Sequence, residues 1–237
     1  NKTNSTKSGI IFERGKVLTR NFVPGKSVYG ESLKRERRGE FRVWEPSRSK
    51  FCAALKKGLK NNPLKKGMNV LYLGASTGTT VSHISDILEK TGYVFAVEFA
   101  PIVLRELIFL SEQRINIIPL MGDANHPERY SKYLKIVDLV YQDISQKNQV
   151  EIFKKNCDFY LKKGGFGILC LKAKSIDAVK KPKEVFRTEE EKIRQSFDII
   201  EKMTLEPYEL DHMFYVCLLY TSPSPRDRTR SRMPSSA

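Results

Sequence analysis

The sequence lacks several features that would point to other classes of protein. It contains no apolar run of about 18 residues, so we expect no membrane-spanning helix and no membrane association. The polar start of the chain has no apolar middle of the kind found in a secretory signal peptide. The cysteines form no Cys-x-x-Cys pair, so we expect no metal site and interpret them as reduced cysteines of an intracellular protein.

Positive charge is concentrated toward the N-terminal end of the chain. The net charge is +15, and residues 1–66 alone carry 18 basic against 5 acidic residues. Residues 67–216 carry 20 basic against 21 acidic residues and are therefore almost neutral. A neutral body with a basic front suggests a polyanionic partner, although a solvated lysine-rich surface would have the same composition.

Hydrophobic periodicity divides the chain into two folded parts. Residues 1–45 contain short β-like runs broken by glycine and proline, including one at Ser27–Gly30, and are predicted to form a small basic antiparallel unit. Residues 46–216 begin with a helix at Pro46 and then alternate strand-like and helix-like runs. This alternation predicts an α/β fold with a mostly parallel, Rossmann-like sheet that is closed by a last pair of strands, Ile199–Leu205 and His212–Val216.

Residues 217–237 depart from this pattern and end in a region rich in arginine, serine and proline. Back-translation of the segment from Cys217 to Asp227 permits a DNA sequence that resembles a transposase-type sequencing adapter. We therefore predict that these residues are a non-native tail and exclude them from the domain. A disordered basic tail that binds RNA is the alternative.

Glycine or acidic residues follow the ends of four successive predicted strands. The first strand runs into a turn at Gly74, and the next three are followed by Glu98, Asp123 and Asp143. Open α/β sheets bind ligands at the carboxyl ends of their strands. Glu98 lies 24 residues after Gly74, at the spacing where an acid can accept hydrogen bonds from ribose hydroxyls. Asp123 could accept a hydrogen bond from an adenine amino group, so the sequence predicts a nucleotide-like cofactor.

The same glycine turn permits a competing interpretation. Residues 74–78 match the Gly-x-Ser-x-Gly nucleophile elbow of α/β-hydrolases, and Ser76, Asp177 and His212 occur in the chain order of such a triad. A hydrolase would leave Glu98, Asp123 and Asp143 without roles. We therefore favour the cofactor interpretation.

Several segments, in order along the chain, resemble the fibrillarin family. The similarity covers roughly residues 28–216 and is carried by Val70–Asp86, Ala96–Phe99, Arg114–Pro119, Gly122–Pro127, Gly164–Ala173 and Leu205–His212. Two positions in the glycine turn differ from the common family pattern, where Ser76 and Thr77 replace alanine and serine. The glycine- and arginine-rich region of eukaryotic members is missing, and Phe99–Pro101 is similar to archaeal members.

The resemblance implies an S-adenosylmethionine-dependent methyltransferase that modifies the 2′ oxygen of RNA ribose in pre-rRNA and possibly tRNA. It implies a catalytic set of Lys50, Asp143, Lys172 and, less directly, His212, in which Asp143 orients Lys172. It requires no metal, because the sulfonium cofactor carries the reactive methyl group. The cofactor-binding residues that it implies are Gly74, Thr79, Thr80, Glu98, Phe99, Asp123, Ala124, Asp143, Ile144, Ser145 and Gln146.

The resemblance also implies partners and a location. Family members act in a box C/D ribonucleoprotein with a guide RNA, the target rRNA, a Nop-type scaffold protein and a ribosomal-like protein that binds kink-turns. Archaeal-type members are expected in the cytoplasm, and eukaryotic members in the nucleolus. Basic residues of the N-terminal unit could contact RNA or an acidic partner, namely Lys34, Arg35, Arg37, Arg38 and Arg42. Two alternatives remain open, which are a scaffold without catalysis and a protein glutamine methyltransferase.

Overall fold

A computed structural model describes residues 9–220, and this range folds into two β-sheets. The N-terminal sheet is antiparallel with the strand order β1-β2-β4-β3. Its strands are β1 (Ile10–Glu13), β2 (Lys16–Arg20), β3 (Leu33–Glu36) and β4 (Gly39–Trp44).

The prediction of a strand at Ser27–Gly30 is wrong, because this segment is bent rather than extended. The cause is the Glu31 carboxylate, which accepts hydrogen bonds from the backbone N–H groups of Val28 and Tyr29 at 2.8 to 3.1 Å. These bonds turn the chain back on itself, so the third strand starts only at Leu33.

The larger sheet has seven strands within residues 9–220, in the order β10-β11-β9-β8-β5-β6-β7. The five adjacent strands β9, β8, β5, β6 and β7 are parallel to one another. Strand β11 is antiparallel to both of its neighbours, β9 and β10. The predicted mostly parallel sheet with a closing pair is therefore confirmed. Its strands are β5 (Asn69–Leu73), β6 (Tyr93–Glu98), β7 (Ile117–Met121), β8 (Val137–Gln142), β9 (Leu161–Lys172), β10 (Phe197–Thr204) and β11 (His212–Leu219).

Helices cover both faces of this sheet, which confirms the Rossmann-like architecture. Phe51 and Ile84, from two helices on one face, join one hydrophobic core, and Phe153 and Val185 join the core on the opposite face. No helix within residues 9–220 is long and apolar enough to cross a bilayer. The helices are α1 (Lys50–Lys56), α2 (Thr79–Leu88), α3 (Pro101–Gln113), α4 (Gln149–Tyr160), α5 (Ala173–Ile176) and α6 (Pro182–Ile193).

Buried ion pairs join the N-terminal sheet to helix α2. The side chain of Arg42 is 0% exposed, and it donates hydrogen bonds to Asp86 Oδ2 and Ser82 Oγ, both at 2.8 Å. It also donates to Glu31 of its own domain. The suggestion that Arg42 contacts RNA or a protein partner is therefore wrong, because its charge is needed to compensate buried carboxylates.

Strand β11 continues to Leu219 and so passes the domain boundary that we predicted at residue 216. Cys217 is fully buried and pairs with Ile199 of β10 and Gly167 of β9. The rest of the proposed tail, from residue 221, lies outside the described residues.

Candidate cofactor and catalytic site

A cavity of about 320 Å³ opens at the carboxyl ends of β5, β6, β7 and β8. Nine of the eleven predicted cofactor residues line it, as the strand-end argument requires. These nine are Gly74, Glu98, Phe99, Asp123, Ala124, Asp143, Ile144, Ser145 and Gln146.

At the glycine turn, the backbone at Gly74 lies in close contact with the backbone at Asp143, and both residues line the cavity. Gly74 has φ +80°, and a Cβ atom built on it would lie 2.2 Å from the carbonyl oxygen of Asp143. Its N–H donates to the carbonyl of Val97 at 3.1 Å, while the N–H of Asp143 donates to the carbonyl of Leu73 at 3.0 Å. Only glycine fits this position, so the turn is shaped by both its conformation and its neighbours.

Two carboxylates face the cavity from adjacent strands. Glu98 accepts hydrogen bonds from the backbone N–H groups of Ser76 at 2.8 Å and of Phe99 and Ala100 at 2.9 Å. Asp123 accepts two bonds of 2.9 Å from Asn125. Partial burial would raise the pKa of Asp123, but the Asn125 hydrogen bonds outweigh it and lower that pKa below its ordinary value. Both acids are thus held in place as acceptors for hydroxyl or amino groups.

The two predicted threonines do not line this cavity. Thr80 is buried, and its hydroxyl donates to Ser49 Oγ at 2.9 Å, whereas Thr79 lines a separate cavity beside the N-terminal unit. Conversely, sequence reasoning missed Ser76, Val97 and Gly122. The Gly-Asp pair at residues 122–123 was a signal for Gly122, but nothing local foretells the φ of +51° that turns Ser76 toward the cavity.

An ion pair adjoins the cavity at Asp143. Lys50 Nζ donates to Asp143 Oδ2 at 2.9 Å, and the two side chains are 18% and 22% exposed. Burial is the largest single effect and acts to lower the pKa of Lys50, but the charge and hydrogen bond of Asp143, together with weaker effects of neighbouring groups, outweigh burial, so the pKa is raised. Within the described residues the cationic partner of Asp143 is Lys50, which differs from our expectation that Asp143 orients Lys172.

The other two predicted catalytic residues lie across from each other on neighbouring strands. Lys172 ends β9 and pairs in register with His212 at the start of β11. The His212 Nδ1–H donates to the Leu210 carbonyl at 2.7 Å. In the neutral ring, Nε2 is then the nitrogen that can accept a hydrogen bond. Burial and, more weakly, the positive charge of Lys50 lower the pKa of His212, which favours the neutral form of its imidazole.

These contacts argue against the hydrolase interpretation. The carboxylate of Asp177 accepts hydrogen bonds from the backbone N–H groups of Val179 and Lys180 at 2.9 and 3.0 Å. Among residues 9–220, the hydrogen-bond partner of His212 Nδ1 is a carbonyl and not that carboxylate. The acid that would orient a catalytic histidine is therefore engaged elsewhere.

The parallel sheet, the glycine turn and the acids at successive strand ends define a Rossmann-like methyltransferase fold. Within residues 9–220 no group of three histidine, cysteine or acidic side chains could hold a metal ion.

Comparison with known proteins agrees with this class. The model of the Fibrillarin family matches residues 6–221, and the chain belongs to that family. The fibrillarin-like rRNA/tRNA 2′-O-methyltransferase of Pyrococcus abyssi is 47% identical over 201 residues, which are 85% of this chain and 88% of that protein. The protein of the same name from Methanococcus vannielii is 48% identical over 203 residues, with coverages of 85% and 87%.

Three solved structures are similar over most of the chain. Fibrillarin of Methanococcus jannaschii matches with a TM-score of 0.88 and 42% identity, covering 92% of this chain and 97% of that one. Aeropyrum pernix fibrillarin with natively bound S-adenosyl-L-methionine matches with a TM-score of 0.81 and 39% identity, covering 88% and 92%. A fibrillarin/Nop5p complex matches with a TM-score of 0.85 and 38% identity, covering 92% and 100%.

Proposed function

We propose that this protein is an S-adenosylmethionine-dependent methyltransferase that modifies the 2′ oxygen of ribose in rRNA and tRNA. The names of its archaeal relatives support this activity. The observation that carries the proposal is the contact of Lys50 with Asp143, because it places a fixed cation beside a carboxylate that also lines the cavity. A methyl acceptor that binds next to Lys50 would therefore lie close to the cofactor.

The residues that line the cavity suit S-adenosylmethionine in their chemistry. Glu98 would accept hydrogen bonds from the ribose hydroxyls, and Asp123 would accept one from the adenine amino group. Phe99 and Ile144 supply apolar surface for the flat adenine ring. Gly74 itself lines the cavity, so the ligand would meet the backbone of the turn without an intervening side chain at that residue. When bound, S-adenosylmethionine supplies a methyl group that is activated by its sulfonium charge.

The catalytic residues would act on the attacking hydroxyl. The raised pKa of Lys50 keeps its ammonium group protonated, so Lys50 would stabilise the negative charge that develops on the 2′ oxygen. Lys172 would hold that hydroxyl through a hydrogen bond, and in its neutral amine form it would accept the proton that the hydroxyl loses as the bond to the methyl group forms. Asp143 would keep Lys50 in position through their 2.9 Å contact, and the neutral His212 would flank Lys172 across the strand pair.

We further propose that the enzyme works within a box C/D ribonucleoprotein. The fibrillarin/Nop5p complex supports a Nop-type scaffold protein as partner. A guide RNA that pairs with the target, and a kink-turn-binding protein, would complete the particle. Base pairing would then select the ribose, while the protein contacts backbone and 2′-hydroxyl groups. The archaeal relatives support a location in the cytoplasm.

The test is transfer of labelled methyl groups from S-adenosylmethionine in a reconstituted guide-RNA complex. We expect label on the guided 2′ oxygen with the unchanged chain and its loss in Lys172→Ala. Assembly and cofactor binding without transfer would instead favour a scaffold role. Transfer to glutamine of a free protein, with none to guided RNA, would favour a protein methyltransferase.

A further inference from the structure

A fully buried glutamine connects the two sides of the proposed active site. Gln149 is the first residue of α4 and is 0% exposed. Its Nε2 donates to the Gln146 carbonyl at 2.7 Å and to the Lys172 carbonyl at 3.2 Å. Its Oε1 accepts a hydrogen bond from the Lys172 N–H at 3.0 Å. One side chain therefore bonds both backbone groups of Lys172 and the loop that lines the cofactor cavity.

The position of Lys172 explains why such a side chain is needed. Strand β8 ends at Gln142, which pairs with Leu169, so Lys172 lies beyond the last residue of β9 that has a partner on that side. Its backbone N–H and C=O would otherwise lack partners in the interior, at a cost comparable to lost hydrogen bonds. An amide side chain has both a donor and an acceptor, so Gln149 replaces the missing peptide group of β8.

A second buried glutamine fixes Gln149 itself. Gln142 is also 0% exposed, and its Nε2 donates to the backbone carbonyl of Gln149 at 2.7 Å. The loop at residues 143–148 is thus closed by a bond from the end of β8 to the start of α4. That loop carries four residues of the cofactor cavity, Asp143 to Gln146.

We propose that Gln149 is a positioning residue, which fixes Lys172 relative to the cofactor loop through the three hydrogen bonds of its side-chain amide. The inference rests on the proposed function only in giving Lys172 a role in methyl transfer. Gln149 is fully buried and is not among the residues that line the cofactor cavity. It acts through the backbone of Lys172, whose side chain must lie within reach of the 2′ oxygen.

Two variants of Gln149 separate its contacts. Gln149→Ala removes all three hydrogen bonds, whereas Gln149→Glu keeps an acceptor for the Lys172 N–H and removes the donor to both carbonyls. Asn116→Ala is a matched control, because Asn116 is a buried amide with three hydrogen bonds, to Ser85 and Glu89, and precedes β7, whose opposite end carries the cavity. All chains are compared in the complete guide-RNA complex, at a temperature where circular dichroism shows each to be folded.

For Gln149→Ala we expect kcat to fall at least about tenfold, since small displacements of a reacting group are costly. We also expect hydrogen exchange at the Lys172 amide to become at least about tenfold faster. In Gln149→Glu the backbone amide of Lys172 should stay protected from hydrogen exchange, while kcat still falls. Asn116→Ala should lower the melting temperature but change kcat by less than about twofold.

Measuring both kcat and hydrogen exchange at the Lys172 amide distinguishes a failure of this inference from a failure of the proposed function. If the unchanged chain transfers no methyl group to guided RNA, the proposed function fails, and Lys172 amide exchange alone judges the role of Gln149. Unchanged exchange at Lys172 in Gln149→Ala would overturn the inference. A kcat within about twofold of the unchanged chain would overturn it as well, provided that the unchanged chain is active.

Discussion

Lys50 and Asp143 are 93 residues apart in sequence, yet Lys50 Nζ lies 2.9 Å from Asp143 Oδ2. The contact joins the start of α1, which follows the N-terminal unit, to the end of β8 in the large sheet. The same aspartate lines the cofactor cavity. One carboxylate therefore belongs both to the proposed catalytic site and to the proposed cofactor site.

Neutralising this carboxylate should abolish most of the activity. In Asp143→Asn, Lys50 loses a partly buried ionic partner and becomes free to leave its position. We expect methyl transfer to guided RNA to fall by at least about 100-fold, the order of loss seen when one group that stabilises transition-state charge is removed. Initial rates at saturating cofactor are the measurement. Asp158→Asn, at an exposed carboxylate of α4, is the control and should keep its activity.

Adding a methyl group to Gly74 should prevent cofactor binding. In Gly74→Ala the new Cβ would lie 2.2 Å from the Asp143 carbonyl oxygen, so the two sides of the cavity must separate. Gly25→Ala is a close control, because Gly25 has φ +84° but has nothing within 4 Å of its Cβ position. Both variants should lose about 1–2 kcal/mol to backbone strain. Only Gly74→Ala should lose binding of S-adenosylhomocysteine in calorimetry, and equal affinities in both variants would contradict this account.

The sequence predicted regular elements better than contacts. The closing strands predicted at Ile199–Leu205 and His212–Val216 agree with β10 and β11 to within three residues at each end, because each shows a clear hydrophobic period. The bend at Ser27–Gly30 escaped prediction, since it depends on the Glu31 side chain and not on periodicity.

The cavity could be anticipated because parallel strands bring their carboxyl ends together whatever the side chains are. Which lysine pairs with Asp143 could not be anticipated in this way. The choice between Lys50 and Lys172 depends on how α1 packs against the sheet, which is a tertiary relationship. The buried role of Arg42 escaped prediction for the same reason, because charge in a sequence carries no information about burial.

Removing the charge of Arg42 should destabilise the folded protein rather than weaken RNA binding. Arg42→Met leaves Glu31 and Asp86 with fewer partners in the interior, and we expect a loss of about 3–5 kcal/mol in the free energy of unfolding. Urea denaturation measures this loss. Arg37→Ala, at an exposed position, should change stability by about 0.5 kcal/mol or less. If the folded Arg42→Met protein lost RNA affinity while its stability was unchanged, the structural role would be wrong.

Two buried histidines should make stability depend on pH above the range where carboxylates titrate. Burial lowers the pKa of His83 well below its ordinary value, and its ring nitrogens lie 2.7 Å from Thr19 Oγ1 and 2.8 Å from the Tyr29 hydroxyl. The pKa of His212 is also lowered, again mainly by burial. The unfolded chain therefore binds more protons than the folded chain once the pH falls below about 6.5.

The stabilisation from these neutral histidines is fully present above about pH 6.5 and is lost as the pH falls toward their folded-state pKa values. We expect the free energy of unfolding to fall between pH 7 and 5.5, by at most about 1.4 kcal/mol per pH unit for each histidine. His83→Gln should reduce this slope. His126→Gln should not, because the side chain of His126 is 43% exposed. Equal unfolding free energies at both pH values would refute the prediction.

The end of β11 gives a test of the predicted tail boundary. A chain shortened to end at Tyr220 keeps the whole strand, whereas a chain that ends at Val216 loses the buried Cys217 and the pairing of Leu218 and Leu219 with β10. Because β11 lies between β9 and β10, this loss opens the sheet on both sides. We expect the shorter chain to lose at least about 3 kcal/mol of unfolding free energy.

The same strand carries His212 opposite Lys172 at its other end, so disorder in β11 should also lower methyl transfer. We expect the chain that ends at Tyr220 to match the full chain in melting temperature and in transfer to guided RNA, as a tail outside the domain requires. The chain that ends at Val216 should have a lower melting temperature and a lower rate of methyl transfer. Loss of RNA affinity in the chain that ends at Tyr220, with unchanged melting temperature, would instead assign the arginine-rich end a role in RNA binding.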